Sequence, residues 1–115
     1  ISFVRKFWNM DLLTEWDKTQ EIESPEKKAK SLEKFYKKRP SEFVTQYASE
    51  SPEEDIAESW TFFVLFDKPK NNSKANEKIL FFYNYPELVK YREAIRNKTE
   101  YFPNISMKEY AETFR

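Results

Sequence analysis

The sequence contains no glycine, no cysteine and no histidine. Average usage would place about 8 glycines in a chain of this length, and without them hairpins and left-handed helix caps lose the residue that most easily takes positive φ. That absence favours helices over hairpins. Without cysteine there is no disulfide, no thiol nucleophile and no thiolate metal site, and the redox compartment stays open. Without histidine the commonest general base and the commonest metal ligand are both missing, which weighs against a self-sufficient enzyme of a familiar kind. Net charge is lacking too: 20 basic residues balance 20 acidic ones, so no overall field draws the molecule to nucleic acid or to an anionic membrane. The longest strongly apolar run, residues 62–66, is far too short for a transmembrane segment. Position 1 is isoleucine and no charged segment with a following apolar stretch opens the chain, so it is expected to be part of a longer protein.

What the chain does have is rings. Aromatic residues make up 18% of it, out of 39% hydrophobic, and large rings fill a core with few residues. The 115 residues match one ordinary domain, so residues 1–115 are expected to form a single helical unit. Ser2 followed by Phe3, Val4, Phe7 and Trp8 has helical spacing, and Asp11 can cap a second segment through Leu12, Leu13 and Trp16. Ser24-Pro25 is a clear helix start, and the stripe Ala29, Leu32, Phe35 and Tyr36 follows until Pro40. The basic residues from Lys27 to Arg39, interspersed with Glu26 and Glu33, read as a solvated face rather than a phosphate-binding surface.

Phe43-Val44-Thr45-Gln46-Tyr47-Ala48 suits an extended stretch or a short turn, and Ser51-Pro52 starts a helix that should run to about Asp67. Residues 70–74 read as an exposed loop and residues 75–84 as a helix broken by Tyr85-Pro86. Another helix follows over 87–97, with Leu88, Tyr91 and Ile95 on one stripe. After Pro103, Ser106 can cap a last short helix through Tyr110, Ala111 and Phe114. Glycosylation sequons beginning at Asn71, Asn97 and Asn104 carry little weight in an Asn-rich chain. The expected fold class is therefore all-α, about six helices in an irregular bundle, with residues 53–66 as the central helix and 75–97 as a pair packed around it.

One stretch carries a chemical signature. Glu54 and Glu58 are four apart, so their carboxylates project from the same side of a helix, one turn separated. Like charges at that spacing are mildly destabilising unless something positive sits nearby, and a metal ion, a lysine or solvent would meet that need. A plainer account competes. With Ser51 as N-cap, Glu54 falls at the third helical position of a Ser-x-x-Glu capping box, and acids in a first turn suit the helix dipole. Tyr47 has an equally plain account as a half-buried aromatic. Spacing leaves both accounts open.

Tyr47, Glu54, Ala57 and Glu58 stand as Tyr-x6-Glu-x-x-Ala-Glu, which resembles the C-terminal part of the active site of gluzincin zinc metallopeptidases, in particular the catalytic domain of anthrax lethal factor. The chain looks still closer to bacterial proteins described as zinc-binding metallopeptidases. These carry stretches similar to Glu42-Phe43-Val44-Thr45 with Tyr47-Ala48, and to residues 52–59. Lys78-Ile79 to Phe82-Tyr83, and Tyr85-Pro86-Glu87-Leu88-Val89 followed by Arg92 and Ile95-Arg96, look like that family as well. The resemblance covers about residues 1–97 and is strongest over 42–67. It implies the C-terminal subdomain of a metallopeptidase fold, a peptide or protein substrate, and an exported protein, secreted or lipid-anchored.

In such enzymes two histidines of a His-Glu-x-x-His helix and one downstream glutamate hold zinc. By resemblance, Glu54 is the downstream zinc ligand, Glu58 the carboxylate that orients a ligating histidine, and Tyr47 the hydroxyl donor to the oxyanion of a peptide carbonyl under attack. No His-Glu-x-x-His occurs in this sequence. The missing ligands are expected in an N-terminal part of the same protein, and this chain alone is expected to be inactive and to bind no zinc firmly. The aromatic face that such a part would cover is expected to favour self-association. Two rival expectations stand beside this: a non-enzymatic helical interaction module, and a metallopeptidase homologue that has lost catalysis.

Overall fold

Side-chain caps set where the helices begin. In the computed structural model, which describes residues 2–98 and 105–113, Ser24, Ser51 and Ser73 each take an extended backbone and accept a hydrogen bond from the N–H three residues on. Each thereby satisfies one of the donors that a first turn leaves unpaired. Pro25 and Pro52 follow at the first helical position, where a missing N–H costs nothing. The α-helices run in order α1 (Ser2–Phe7), α2 (Met10–Gln20), α3 (Pro25–Lys37), α4 (Pro52–Leu65), α5 (Lys74–Phe81), α6 (Pro86–Lys98) and α7 (Met107–Thr113). Short 3-10 turns, Tyr47–Glu50 and Phe82–Asn84, precede α4 and follow α5. The fold is all-α, with no strand among the described residues. No helix among them is long and apolar enough to cross a membrane. Ile1, Pro103 and Phe114, and the sequon residues Thr99 and Asn104, lie outside the described residues.

Two local expectations need correction. The cap of α2 is Asn9, whose side chain accepts from the Leu12 N–H at 2.9 Å, and Asp11 falls inside the first turn. The chain breaks there because Trp8, at the end of α1, is buried and bonded to α4. Of the two alternatives for the segment from Phe43, the structure takes the turn: bends at 43–45 and a turn at Gln46 lead into the 3-10 turn. The apolar stripe of α6 packs inward only at its start: Leu88 lies partly buried against the core, while Tyr91 is 58% and Ile95 43% exposed. The rest of this helix is held by guanidinium groups. Arg92 donates to the Phe63 and Phe66 carbonyls at 2.7 and 2.9 Å, and Arg96 donates to the Val64 carbonyl at 2.8 Å. These are carbonyls of the last turn of α4, where the helix has no partners for them and where its dipole favours cations.

The core is built from rings, as the composition implies. Phe3 and Phe7 of α1, Trp8, Phe35 of α3, Phe43, Phe62 and Phe63 of α4, and Phe82 are all buried. Trp8 lies against Phe35 and Phe43 with ring centres 6.1 and 5.9 Å apart, while Phe63 meets Phe82 and, edge to face, Tyr83. Stacked, tilted and edge-on pairs of this kind are the favoured aromatic geometries.

Inside this core sits a charged pair. Asp55 of α4 and Lys78 of α5 are 0% and 1% exposed, and their Oδ2 and Nζ atoms are 2.8 Å apart. Lys78 also donates to the Glu42 carbonyl at 2.7 Å and lies 4.0 Å from the centre of the Phe43 ring. Asp55 accepts from the indole N–H of Trp8 at 2.9 Å and from the Ser59 hydroxyl at 3.4 Å. The pair thus joins α1, the segment before α4, α4 itself and α5 at one point.

The Tyr83 hydroxyl is the exception to this pairing: it is buried with no hydrogen-bond partner among the described residues, and burial holds its phenol above the ordinary range. An unpaired buried hydroxyl costs free energy that its removal recovers. Tyr83→Phe is therefore predicted to leave stability unchanged or raise it by about 1 kcal/mol in urea denaturation. A loss of similar size would show that the hydroxyl has a partner.

Candidate functional site

The start of α4 and the turn before it form one constrained unit. Thr45 is buried, and its hydroxyl accepts from the Ala48 N–H at 3.0 Å while donating to Glu58 Oε1 at 2.9 Å. The Ser49 N–H and hydroxyl both donate to the Gln46 carbonyl. From the other side, the indole of Trp16 on α2 donates to the Glu50 carbonyl at 2.7 Å. With Ala48 and Ser49 buried, the turn leaves Tyr47 on the outside, 46% exposed.

Tyr47, Glu54 and Glu58, the residues singled out by sequence, come together here. Tyr47 lies beside Glu54, whose carboxylate is the main cause that holds the phenol above its ordinary value; burial and the carboxylates of Glu50 and Glu58 act in the same direction. Glu58 is anchored through Thr45. Glu50 is also held above the usual carboxylate range, first by burial and then by the charge of Glu54. The charges that raise Tyr47 are the carboxylates of Glu54, Glu50 and Glu58, so this corner of a chain with no net charge is locally anionic.

The capping question can be judged inside the same molecule, because Ser-x-x-Glu occurs twice. At α7, Ser106 and Glu109 make the complete box: the Glu109 N–H donates to the Ser106 hydroxyl oxygen at 3.1 Å, and the Ser106 N–H and hydroxyl donate back to Glu109 Oε1 at 3.4 and 3.2 Å. At α4 only the first half forms, from the Glu54 N–H to the Ser51 hydroxyl oxygen at 3.0 Å. The Glu54 carboxylate acts on Tyr47 instead. Ser51 is thus the cap, while the acid group of Glu54 is turned outward from it.

Sequence reasoning missed the buried pair that stands behind this site. A signal was present: Ala75, Lys78, Ile79 and Phe82 follow helical spacing, which places the lysine on an apolar face.

A zinc ion needs nitrogen or sulfur donors beside a carboxylate, and this chain has no histidine or cysteine. No group of three or more carboxylates lies close enough together to hold a metal ion among the described residues. The residues of this chain alone therefore do not fit zinc. Comparison of the chain with protein-family models, with curated proteins and with solved structures finds no match in any of the three.

The Tyr47–Glu54 contact is open to direct test. A neighbouring anion disfavours the phenolate, so its removal should let the proton leave more easily. Glu54→Gln is predicted to lower the titration midpoint of Tyr47 towards about 10, read by NMR of ring-labelled tyrosine. An unchanged midpoint would show that the two side chains do not meet.

Proposed function

We propose that this chain is the C-terminal part of a zinc metallopeptidase, contributing Glu54 as one metal ligand and Tyr47 as a donor to the oxyanion of a peptide carbonyl. The histidine ligands would come from residues outside this chain, and the chain alone would hydrolyse nothing. The observation that carries this reading is the outward carboxylate of Glu54. It leaves its capping box half made and lies beside an exposed tyrosine, the neighbourhood that the Tyr-x6-Glu resemblance implies. The upward shift of Tyr47 suits the role, because a phenol that stays protonated remains a donor.

A second reading, a non-enzymatic helical interaction module or a homologue without catalysis, is favoured by one observation. Glu58 is tied into the fold by Thr45, as a purely structural carboxylate would be.

The test uses the protein made from the complete reading frame that encodes this chain. Glu54→Gln keeps the side-chain size and the N–H bond to Ser51, so as a mere cap it should cost at most about 1 kcal/mol. As a ligand position it is predicted to lose bound zinc and turnover while the fold survives. Tyr47→Phe is predicted to keep the metal and lose about a hundredfold in turnover. Metal content and peptide hydrolysis measured on both variants decide the matter: full zinc occupancy and near-normal turnover in Glu54→Gln would refute the assignment.

A further inference from the structure

Beside the candidate site lies a groove of about 340 Å³ lined by Thr45, Tyr47, Glu58, Thr61 and Tyr110. Three separately anchored parts of the fold meet there. Thr45 and Tyr47 come from the pinned turn, Glu58 and Thr61 are neighbours one turn apart on α4, and Tyr110 comes from α7. The Tyr110 ring is set edge-on against Phe62 and Phe66, with ring centres 5.5 and 5.6 Å away, so that wall is packed onto the core. Thr61 donates its hydroxyl to the Ala57 carbonyl.

The chemistry of this lining selects one kind of guest. Among the described residues Glu58 is the only charged one in it, and no lysine or arginine lines the groove. Two tyrosines supply aromatic surface, which attracts cations through the ring quadrupole. The Glu58 carboxylate adds a charge-assisted hydrogen-bond acceptor. Glu54 and Glu50 add to the negative field at Tyr47, one wall of the groove. An apolar side chain would gain only the ring contacts, and an acidic one would be repelled.

We infer that this groove is a binding subsite for a cationic peptide side chain, lysine or arginine. The assignment rests on the peptide-hydrolysis reading only for the statement that the cation belongs to a substrate. Binding itself requires no metal and no residue outside this chain. Held there, a basic residue would place its own backbone near Tyr47 and Glu54, and so would determine which peptides are presented to them.

The experiment titrates this chain with N-acetyl-arginine amide and, separately, with N-acetyl-norleucine amide, following backbone amide shifts by NMR. Saturable shifts at Thr45, Tyr47, Glu58 and Thr61 are expected with the arginine compound, and affinity for the norleucine compound should be about tenfold weaker or less. Glu58→Gln keeps an acceptor for the Thr45 hydroxyl but removes the charge, and should weaken arginine binding about tenfold. Thr61→Lys places a competing ammonium beside Glu58 and should abolish it. Equal affinity for the two compounds, no saturable shifts at these residues, or binding that survives both variants would overturn the inference. Its failure is separable from failure of the peptidase reading. Zinc-dependent hydrolysis by the complete protein with no preference for lysine or arginine at any position would overturn the subsite and leave the peptidase standing. Arginine binding by this chain, together with full zinc and turnover in the Glu54→Gln protein, would support the groove and refute the metal ligand.

Discussion

The contact between Asp55 and Lys78 is the point on which the rest of this fold depends. Two opposite charges lie fully out of water, 2.8 Å apart. Burial pushes the Asp55 carboxyl up and the Lys78 ammonium down, and each partner pulls the other part of the way back. Both net shifts disfavour the ionised forms, so at neutral pH the charges add no stability over a well-packed apolar pair. What the pair does supply is an all-or-none requirement. Lys78 has three donors to satisfy, and the Asp55 carboxylate, the Glu42 carbonyl and the Phe43 ring together meet them. Any arrangement of α1, α4 and α5 that separates these groups leaves a buried charge unpaired, which is far costlier than the pair itself.

From that point the site follows by short steps. Asp55 is buried in the first turn of α4, next to Glu54 in sequence, so fixing one fixes the direction of the other. The same carboxylate takes the Trp8 indole N–H, which ends α1 and brings α2 alongside. Trp16 of α2 then holds the Glu50 carbonyl of the turn that carries Tyr47. Thr45 closes the circuit by bonding both that turn and Glu58. The exposed tyrosine and its carboxylates are thus held from several sides, as a site that must present groups in fixed directions requires.

Much of the fold was legible because helix starts are local chemistry. A serine cap at Ser24, Ser51 or Ser106 can be read from a few neighbours, and Pro25 and Pro52 sharpen two of those starts. The cap at Asn9 was misplaced to Asp11 because the break before α2 is decided by where Trp8 is anchored, through a residue on another helix. The stripe of α6 misled for a related reason: the unpaired carbonyls ending α4 attract Arg92 and Arg96 more strongly than the core attracts Tyr91 and Ile95. At the site, Tyr47, Glu54 and Glu58 could be picked out by pattern, but Ser-x-x-Glu spells a capping box whether or not the acid closes it. The Ser106–Glu109 box and the Ser51–Glu54 half-box share the pattern and differ only in what stands beside the carboxylate. Lys78 was hidden because lysine is ordinarily a surface residue, and its partner lies on a different helix.

The most direct measurement is a double-mutant cycle on the buried pair, followed by denaturant unfolding. Asp55→Asn keeps an acceptor for the Trp8 indole while leaving the Lys78 charge uncompensated, and it should cost on the order of 3–5 kcal/mol. Adding Lys78→Met removes that stranded charge. If the pair organises the fold as described, the double variant recovers most of the loss, and the coupling between the positions is large. Additive losses, with the double variant no more stable than Asp55→Asn alone, would contradict it.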